Sequence, residues 1–180
     1  MVTFDTLLCK LAYKYGSDKC PQIGHQYTQF YYELFKNKRQ KVKKVLEIGV
    51  GWGASLFMWR DFFPKATIYG ADINKEYLFQ TKRIKTYFCD QSKKSHLLNL
   101  IKKVGRDIDL FVDDGSHSPN DQVFTCLTLM PALNKKVIYV IEDVADKKIA
   151  ENLRMYNCEF KRRSKMLCHD DRLLLVRHKV

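Results

Sequence analysis

The sequence predicts an α/β protein in which helices cover both faces of a doubly wound, mostly parallel sheet. Short apolar runs alternate along the chain with segments whose apolar residues recur at helical spacing. The first apolar run ends in glycines and passes directly into a helical segment, which is the order of a parallel crossover unit. The chain has 180 residues, of which 46% are hydrophobic, so it is long enough for one domain with a buried core.

Turn residues and spacing place the elements in order. Five buried strands are predicted, at 42–50, 66–73, 84–90, 108–113 and 137–144. Helices are predicted at 4–15, over the aromatic segment YTQFYYELF, and at 54–63, 75–82, 95–104, 119–133 and 147–154. The segments 157–162 and 172–177 lie close together across a polar loop, and they predict a hairpin that adds an antiparallel strand. That loop holds His169, Asp170 and Asp171. We expect a single domain over 1–180, with a helical segment over 1–40 and the core over 41–180.

The charge balance narrows the class of partner. The 32 Lys and Arg residues exceed the 20 Asp and Glu residues by 12, which favours an anionic partner such as a nucleic acid, a nucleotide sugar or an acidic glycan. Basic residues cluster in the run KNKRQKVKK at 36–44 and again at 161–163. We interpret these clusters as solvated faces, and a landing surface for a polyanion is the alternative.

The sequence also bears on the compartment. No stretch approaches the roughly 18 consecutive apolar residues of a membrane span, and the first residues do not follow the pattern of a signal peptide. The six cysteines, at 9, 20, 89, 126, 158 and 168, form no CxxC pair. Buried free thiols in a reducing compartment fit this usage, so we expect a cytoplasmic protein that does not bind membranes.

Acidic residues follow every predicted parallel strand. The first strand ends in EIGVGWG at 47–53, where Gly49, Gly51 and Gly53 allow the backbone to approach a ligand. Asp72 ends the second strand 19 residues beyond Gly53, the distance typical of an acid that binds a ribose diol. The next strand ends carry Asp90, then Asp113 and Asp114, then Glu142 and Asp143. Ligands of open parallel sheets bind at this edge, so the pattern predicts a nucleoside-containing ligand.

The chemistry of the glycine loop favours a cationic ligand over a pyrophosphate. The loop lacks the GxxxxGK[ST] spacing of a phosphate-binding loop, and the carboxylate of Glu47 would repel a pyrophosphate.

Several motifs together carry a resemblance to a known family. The segment VLEIGVGWG at 45–53 and Ala71-Asp72-Ile73 resemble the first two motifs of class I S-adenosylmethionine-dependent methyltransferases. YGSDK at 15–19 and HQYT at 25–28, with DDGSH at 113–117 and IED at 141–143, are similar to the macrocin and mycinamicin type of sugar O-methyltransferase. The resemblance spans residues 15–145.

The resemblance implies a fold and a set of site residues. The fold is a Rossmann-like sheet of seven strands with an antiparallel last strand, and the segment over 1–40 covers the cofactor site. S-adenosylmethionine is the implied cofactor, with Asp90 and Gln91 near its adenine. Trp52 either stacks on that adenine or belongs to the core. The implied cofactor-binding residues are Glu47, Gly49, Gly51, Gly53, Asp72, Asp90, Gln91 and Asp113. Magnesium is implied at Asp114, Glu142 and Asp143, three hard carboxylates that suit an octahedral oxygen site.

His117 matches the general base of this family, and it would act together with Asp114 on the acceptor hydroxyl. We therefore expect methyl transfer to a hydroxyl of a sugar or glycoconjugate, with magnesium assisting. The alternatives are a nucleic-acid methyltransferase acting on an RNA cap or DNA, and a non-catalytic cofactor-binding module. The acceptor itself does not carry over, because 180 residues leave no room for the large N-terminal region and longer acceptor lid of these relatives. The aromatic positions Phe30, Tyr31, Tyr32 and Phe35 predict a core face or the face of a homodimer.

Overall fold

The computed structural model describes residues 5–162 and 171–179, which form one seven-stranded sheet. Its strands are β1 (Lys44–Ile48), β2 (Thr67–Asp72), β3 (Ile84–Phe88), β4 (Leu110–Asp113), β5 (Ile138–Ile141), β6 (Asn157–Arg162) and β7 (Arg172–Arg177). They lie in the order β3-β2-β1-β4-β5-β7-β6, so the strand order reverses between β1 and β4.

The pairing of these strands confirms the predicted fold class. Strands β1 to β5 pair in parallel, whereas β7 runs antiparallel to both β5 and β6. The predicted hairpin and its antiparallel strand are therefore confirmed. Of the loop between β6 and β7, Cys168, His169 and Asp170 lie outside the described residues, as do Phe4 and Arg163.

Helices cover both faces of the sheet. They are α1 (Leu7–Tyr15), α2 (Tyr27–Phe35), α3 (Ala54–Phe62), α4 (Lys94–Val104), α5 (Pro119–Leu129) and α6 (Ile149–Asn152). Alternation along each strand divides the core: Val45 packs with α1, α2 and α3, and its neighbour Leu46 packs with α4, α5 and α6. No helix among the described residues is long and apolar enough to cross a membrane.

The predicted helix at 75–82 is wrong, because only a short 3-10 turn forms, at Lys75–Tyr77. The chain after it turns back toward β3. The backbone N–H of Phe79 donates to Thr86 Oγ1 at 2.5 Å, and that hydroxyl donates to the Phe79 carbonyl at 2.6 Å. Gln80 forms an isolated bridge with Lys85. This pairing takes the backbone groups that a second helical turn would need.

Two other predicted helices are shorter than expected. The helix predicted at 119–133 ends at Leu129 and continues as a 3-10 turn, Met130–Ala132. Pro131 lies in that turn, and a proline lacks the N–H that continues an α-helix. The helix predicted at 147–154 is reduced to the four residues of α6.

The segment before β1 packs on the core rather than standing apart from it. The ring of Tyr31 in α2 meets Trp59 of α3 at a centroid distance of 4.9 Å, and the Tyr15 hydroxyl donates to Asp61 at 2.5 Å. Phe30, Tyr31 and Phe35 are buried, which confirms the core interpretation of this aromatic face. The single-domain assignment over 1–180 and the homodimer stay predictions.

The cysteines of the described residues are free thiols. Cys9, Cys20, Cys89 and Cys126 are buried, and Cys158 is partly exposed. Burial raises the pKa of Cys89 to about 12. The four buried thiols match the buried free thiols that the sequence predicted.

Candidate active site

The glycine loop after β1 lies against the end of β4. Gly49, Gly51 and Gly53 all have positive φ, at 94°, 48° and 82°. A Cβ atom on Gly49 would lie 1.9 Å from the carbonyl oxygen of Asp114, so only glycine fits there. A Cβ atom on Gly51 would meet no atom within 4 Å. Residue 49 is thus fixed by close packing, whereas residue 51 is fixed only by its backbone angle.

Asp72, at the end of β2, organises this loop. Its Oδ2 accepts hydrogen bonds from the backbone N–H groups of Val50 at 2.8 Å and Gly51 at 3.2 Å, and its Oδ1 accepts one from Asn74 at 2.8 Å. A carboxylate can accept about four hydrogen bonds, so three partners leave room for one from a ribose hydroxyl.

The first of two cavities at this edge, with a volume of about 330 Å³, lies at the ends of β1, β2 and β3. Ile73, Asp90, Gln91 and Asp121 are among its lining residues. The side chain of Ile73 is exposed at the mouth. This cavity therefore combines an apolar wall with acids at its rim, which suits a nucleoside.

Gln91 anchors the wall between this cavity and the core. Its Nε2 donates to Asp113 Oδ1 at 3.1 Å, and its Oε1 accepts from the Ser116 backbone at 2.8 Å. Burial raises the pKa of Asp113 to about 7, although the hydrogen bond from Gln91 opposes the shift. Asp90 lines the cavity, and its Oδ1 accepts a hydrogen bond from the Ser92 hydroxyl at 2.6 Å.

The second cavity, of about 460 Å³, lies at the ends of β1, β4 and β5. Lys19, Trp52, Asp114, His117 and Asp143 are among its lining residues. Trp52 is 85% exposed, with its ring tilted against Tyr77 at 5.0 Å. It lines the larger cavity and is not among the lining residues of the smaller one, so its stacking on adenine stays a prediction.

A buried lysine stands at the centre of the acidic strand ends. The Nζ of Lys19 lies 2.5 Å from Asp114 Oδ2, 2.6 Å from Glu142 Oε2 and 3.3 Å from Glu47 Oε1. Burial alone would lower the pKa of Lys19, but Asp114, Glu142 and Glu47 outweigh it and raise that pKa well above its usual value. Lys19 is therefore charged, and it is the counter-ion of these carboxylates.

Two of these carboxylates are fixed by aromatic side chains as well. Trp59 Nε1 donates to Glu47 Oε2 at 2.5 Å, and the Tyr31 hydroxyl donates to Glu142 Oε1 at 2.5 Å. Burial raises the pKa of both carboxyl groups despite the opposing charge of Lys19. For Asp114, in contrast, the charge of Lys19 and the hydrogen bond of His117 outweigh burial and lower its pKa.

His117 bridges the two acids that face the larger cavity. Its Nε2 lies 3.3 Å from Asp114 Oδ1, and its Nδ1 lies 3.5 Å from Asp143 Oδ2. His117 and Asp143 both have positive φ, 57° and 52°, a strained conformation that is typical of functional sites. The hydrogen bond and charge of Asp114, with the charge of Asp143, raise the pKa of His117 to about 9 against the effect of burial.

The N-terminal segment supplies residues that the sequence did not single out. Tyr27 donates to Asp143 Oδ1 at 2.5 Å, and its ring stacks on His25 at 4.9 Å. His25 Nδ1 lies 3.2 Å from Asp171 Oδ1. The motifs YGSDK and HQYT contained Lys19, His25 and Tyr27, but nothing local to them showed that they meet acids at the ends of β4 and β5.

The donors fit a hard cation at the larger cavity. Asp114, His117 and Asp143 each offer one ligand atom, and these atoms lie within 4.8 Å of one another. Carboxylate oxygens beside an open, water-accessible cavity suit magnesium, which keeps several waters. Glu142 is close in sequence, but both its oxygens accept hydrogen bonds from Lys19 and Tyr31.

No family model matches the sequence. The chain is 38% identical over 144 residues to 8-demethyl-8-alpha-L-rhamnosyl tetracenomycin-C 2'-O-methyltransferase of Streptomyces olivaceus, a match that covers 76% of this chain and 37% of the relative. It is 36% identical over 133 residues to mycinamicin VI 2''-O-methyltransferase of Micromonospora griseorubida, covering 69% of this chain and 33% of the relative. This chain is a homologue of sugar O-methyltransferases. It spans about a third of the length of these curated relatives.

Solved structures agree with this relationship. The MycE methyltransferase in complex with Mg, SAH and mycinamycin VI matches this homologue with a TM-score of 0.76 and 26% identity, over 94% of this chain and 54% of that one. A caffeoyl-CoA O-methyltransferase described as putative, from Staphylococcus aureus, shares the fold at 13% identity, with a TM-score of 0.65 over 97% of this chain and 93% of that one. The class I methyltransferase fold and the resemblance seen in the sequence are confirmed.

The predicted site residues of this methyltransferase homologue divide between the two cavities. Gly49 and Asp72 line both of them. The smaller cavity also has Asp90 and Gln91, and the larger has Gly51, Asp114, His117 and Asp143. Four predicted residues are not among the lining residues of either cavity: Glu47, Gly53, Asp113 and Glu142.

Proposed function

We propose that this chain transfers a methyl group from S-adenosylmethionine to a hydroxyl of a sugar or glycoconjugate, with magnesium assisting. The observation that carries the proposal is that the two cavities share Gly49, Asp72 and Gly115. A nucleoside in the smaller cavity would therefore direct its attached group into the larger one, where Asp114, His117 and Asp143 lie. Relatives that methylate rhamnosyl and mycinamicin sugars support the choice of acceptor.

The smaller cavity is assigned to the adenosine part of the cofactor. Ile73 offers an apolar surface to adenine, and Asp72 has one position left to accept a bond from the ribose diol. Gly49 and Gly51 keep the loop close enough for backbone contact. Glu47 and Asp113 are buried behind this surface, so they would act on the cofactor through the electric field of their carboxyl groups, and Gln91 links Asp113 to the smaller cavity.

The larger cavity is assigned to the reacting hydroxyl. Methyl transfer requires the hydroxyl oxygen in line with the sulfonium carbon, and its proton must be removed. His117 lies at the cavity with one ring nitrogen toward each of two carboxylates. A dication bound at Asp114 and Asp143 would lower the pKa of the acceptor hydroxyl and, by offsetting the two carboxylates, that of His117. His117 would then be neutral and able to accept the proton.

Methyl transfer to a panel of glycosides, measured as release of S-adenosylhomocysteine (SAH), tests this function. We expect turnover with a glycoside, and we expect His117→Ala to lower the rate roughly 10²–10⁴-fold. Turnover only on RNA or DNA would identify a nucleic-acid methyltransferase instead. Tight SAH binding with no turnover on any acceptor would identify a cofactor-binding module.

The compartment and the partner are part of the same proposal. Free, buried thiols at Cys89 and Cys126 fit a reducing cytoplasm. A small-molecule or glycan acceptor fits the larger cavity, and a nucleic acid is the less favoured partner.

A further inference from the structure

Three carboxylate side chains are among the groups that line the smaller cavity, those of Asp72, Asp90 and Asp121. Both oxygens of Asp72 accept hydrogen bonds from backbone N–H groups. Both oxygens of Asp90 are bound as well: Oδ1 accepts a hydrogen bond from the Ser92 hydroxyl at 2.6 Å, and Oδ2 lies 3.0 Å from the Lys93 ammonium. These two acids are therefore engaged at both of their oxygens.

Asp121 differs from the other two acids because only one of its oxygens is bound. The Ser116 hydroxyl donates to Asp121 Oδ2 at 2.7 Å. Among the described residues, no group donates a hydrogen bond to Asp121 Oδ1. Asp121 is partly exposed and lies in the first turn of α5. An unused carboxylate oxygen therefore belongs to a residue of the cavity lining.

A continuous set of hydrogen bonds holds Asp121 in place. Gln91 Oε1 accepts a hydrogen bond from the Ser116 backbone at 2.8 Å, which fixes the residue whose hydroxyl binds Asp121. Gln91 Nε2 donates to Asp113 Oδ1 at 3.1 Å and to Thr125 Oγ1 at 3.3 Å. Both donors of the Gln91 amide are thus used inside the protein, and the bonds run without a break from the buried Asp113 to the cavity lining.

From this arrangement we infer that Asp121 recognises the 6-amino group of adenine, which makes the smaller cavity selective for adenosine among purine nucleosides. This inference rests on the proposed function, which assigns that cavity to the adenosine part of the cofactor. The sequence resemblance implied Asp90 and Gln91 near the adenine and did not include Asp121.

The chemistry of the purine edge supports this role. Adenine carries at position 6 an amino group, which donates hydrogen bonds, whereas guanine and hypoxanthine carry there an oxygen, which accepts them. An ionised carboxylate accepts hydrogen bonds and donates none. Asp121 Oδ1 therefore suits the amino group, and it would oppose the oxygen of a 6-oxopurine as one acceptor against another. A site built on such a bond discriminates against a ligand that lacks the donor, because a polar group is then left unpaired.

The position of Asp121 also suits a purely structural role. An acid in the first turn of a helix interacts favourably with the helix dipole, and Asp121 is the acidic residue in the first turn of α5. That interaction stabilises the helix whichever purine is bound. A comparison of two ligands that differ only at position 6 therefore separates recognition of the amino group from stabilisation of the helix.

A double-mutant cycle in which one of the two changes is made in the ligand tests the inference. SAH is compared with an analogue whose purine carries hydrogen in place of the 6-amino group. Calorimetry measures the affinity of both compounds for wild-type protein and for Asp121→Ala. We expect wild type to bind SAH at least roughly tenfold more tightly than the analogue, because a hydrogen bond to a charged group is lost. We expect Asp121→Ala to bind the two compounds within about threefold of each other.

Asp90→Ala is the matched control, because it removes another carboxylate from the same cavity. We expect it to change the affinity for both compounds alike and to keep the wild-type preference for SAH. Thermal unfolding checks that each variant is folded. Equal binding of the two compounds by wild type overturns the inference, as does a wild-type preference in folded Asp121→Ala or a preference abolished by Asp90→Ala. Wild-type protein that binds neither compound refutes the cofactor part of the proposed function as well.

A crystal structure of the wild-type chain with SAH decides the matter independently of the variants. We expect the adenine amino nitrogen at hydrogen-bond distance, about 2.9 Å, from Asp121 Oδ1. An amino group bound to Asp90 or to a backbone carbonyl instead would overturn the inference and leave the proposed function intact. Adenine outside the smaller cavity would refute the assignment of that cavity.

Discussion

The two halves of the site are built in different ways. In the half at the ends of β1 to β3, Asp72 is held by backbone N–H groups of Val50, Gly51 and Asn74, all within 22 residues of it. In the half at the ends of β4 and β5, the acids are held by side chains that lie far away in the sequence. Lys19 and Glu142 are 123 residues apart, and Tyr27 and Asp143 are 116 apart. The first half is therefore set by local chain geometry, and the second depends on docking of the N-terminal segment.

Gly49 joins the two halves, and its replacement should have the largest effect. Its N–H donates to Ala71 of β2 at 2.8 Å, while a Cβ atom would lie 1.9 Å from the Asp114 carbonyl. We expect Gly49→Ala to lower the free energy of unfolding by about 3 kcal/mol or more, because backbone must move. Gly51→Ala meets no atom and should cost about 1 kcal/mol for its positive φ. Urea unfolding compares them, and equal losses would show that the two halves are not in tight contact at residue 49.

A change at the end of β2 should affect cofactor binding much more than cation binding. Asp72→Ala removes the proposed acceptor of the ribose diol and three loop hydrogen bonds. We expect SAH affinity to fall at least roughly tenfold while Mn²⁺ affinity stays at the wild-type value. Calorimetry measures both affinities. Unchanged SAH binding would remove the ribose role, and a parallel loss of Mn²⁺ would show that the halves are coupled.

The docking of the N-terminal segment should show a modest pH dependence. Asp61 accepts a hydrogen bond from the Tyr15 hydroxyl of α1 at 2.5 Å and another from Arg60 at 2.8 Å. The hydrogen bond from Arg60 above all, with that from Tyr15 and the charges of Arg60 and Lys14, lowers the pKa of Asp61 despite partial burial. A carboxyl group with a lowered native pKa stabilises the fold above its unfolded pKa and loses that contribution as pH falls through the native value.

We therefore expect Asp61→Asn to cost about 1 kcal/mol at pH 7 and almost nothing in strong acid, where the wild-type carboxyl is protonated too. Urea unfolding at both pH values measures the difference. Asp5→Asn, which breaks an exposed pair with Lys10, is the matched control and should have no effect. A loss that persists unchanged in acid would assign the effect of Asp61 to packing.

The smallest expected effect concerns the basic clusters. If they are solvated faces, binding to duplex or single-stranded nucleic acid should be weak, with a logarithmic salt slope shallower than about −3. Filter binding over a range of salt concentrations measures that slope. A steeper slope would favour a nucleic-acid acceptor and would indicate that the basic run at 36–44 binds it.

The sequence predicted the parts of the molecule whose signal is local. Strands, the glycine loop and the acids at the strand ends follow from short patterns, and the structure bears out the fold. The predicted helix at 75–82 does not form, because the Thr86 hydroxyl of the next strand makes hydrogen bonds with the backbone N–H and carbonyl of Phe79. The sequence could not predict the contacts of Lys19, because its partners Asp114 and Glu142 lie 95 and 123 residues away.

One signal for the second half was nevertheless present in the strands. Alternation places Glu47 on the same face as Val45, and Glu142 on the same face as Val140. That face packs against α1, α2 and α3. The pattern therefore indicates that Glu47 and Glu142 face the N-terminal segment, although it does not identify which side chains of that segment contact them.

The two tryptophans of the chain report separately on different parts of this site. Trp52 stands in water at the larger cavity, whereas Trp59 is fully buried with its indole N–H on Glu47. Their fluorescence should differ in wavelength and in access to a dissolved quencher such as iodide. An acceptor that fills the larger cavity should reduce the quenching of Trp52 by iodide. A shift in the emission wavelength of Trp59 would report a change around Glu47. The protein thus carries an intrinsic optical probe that needs no label.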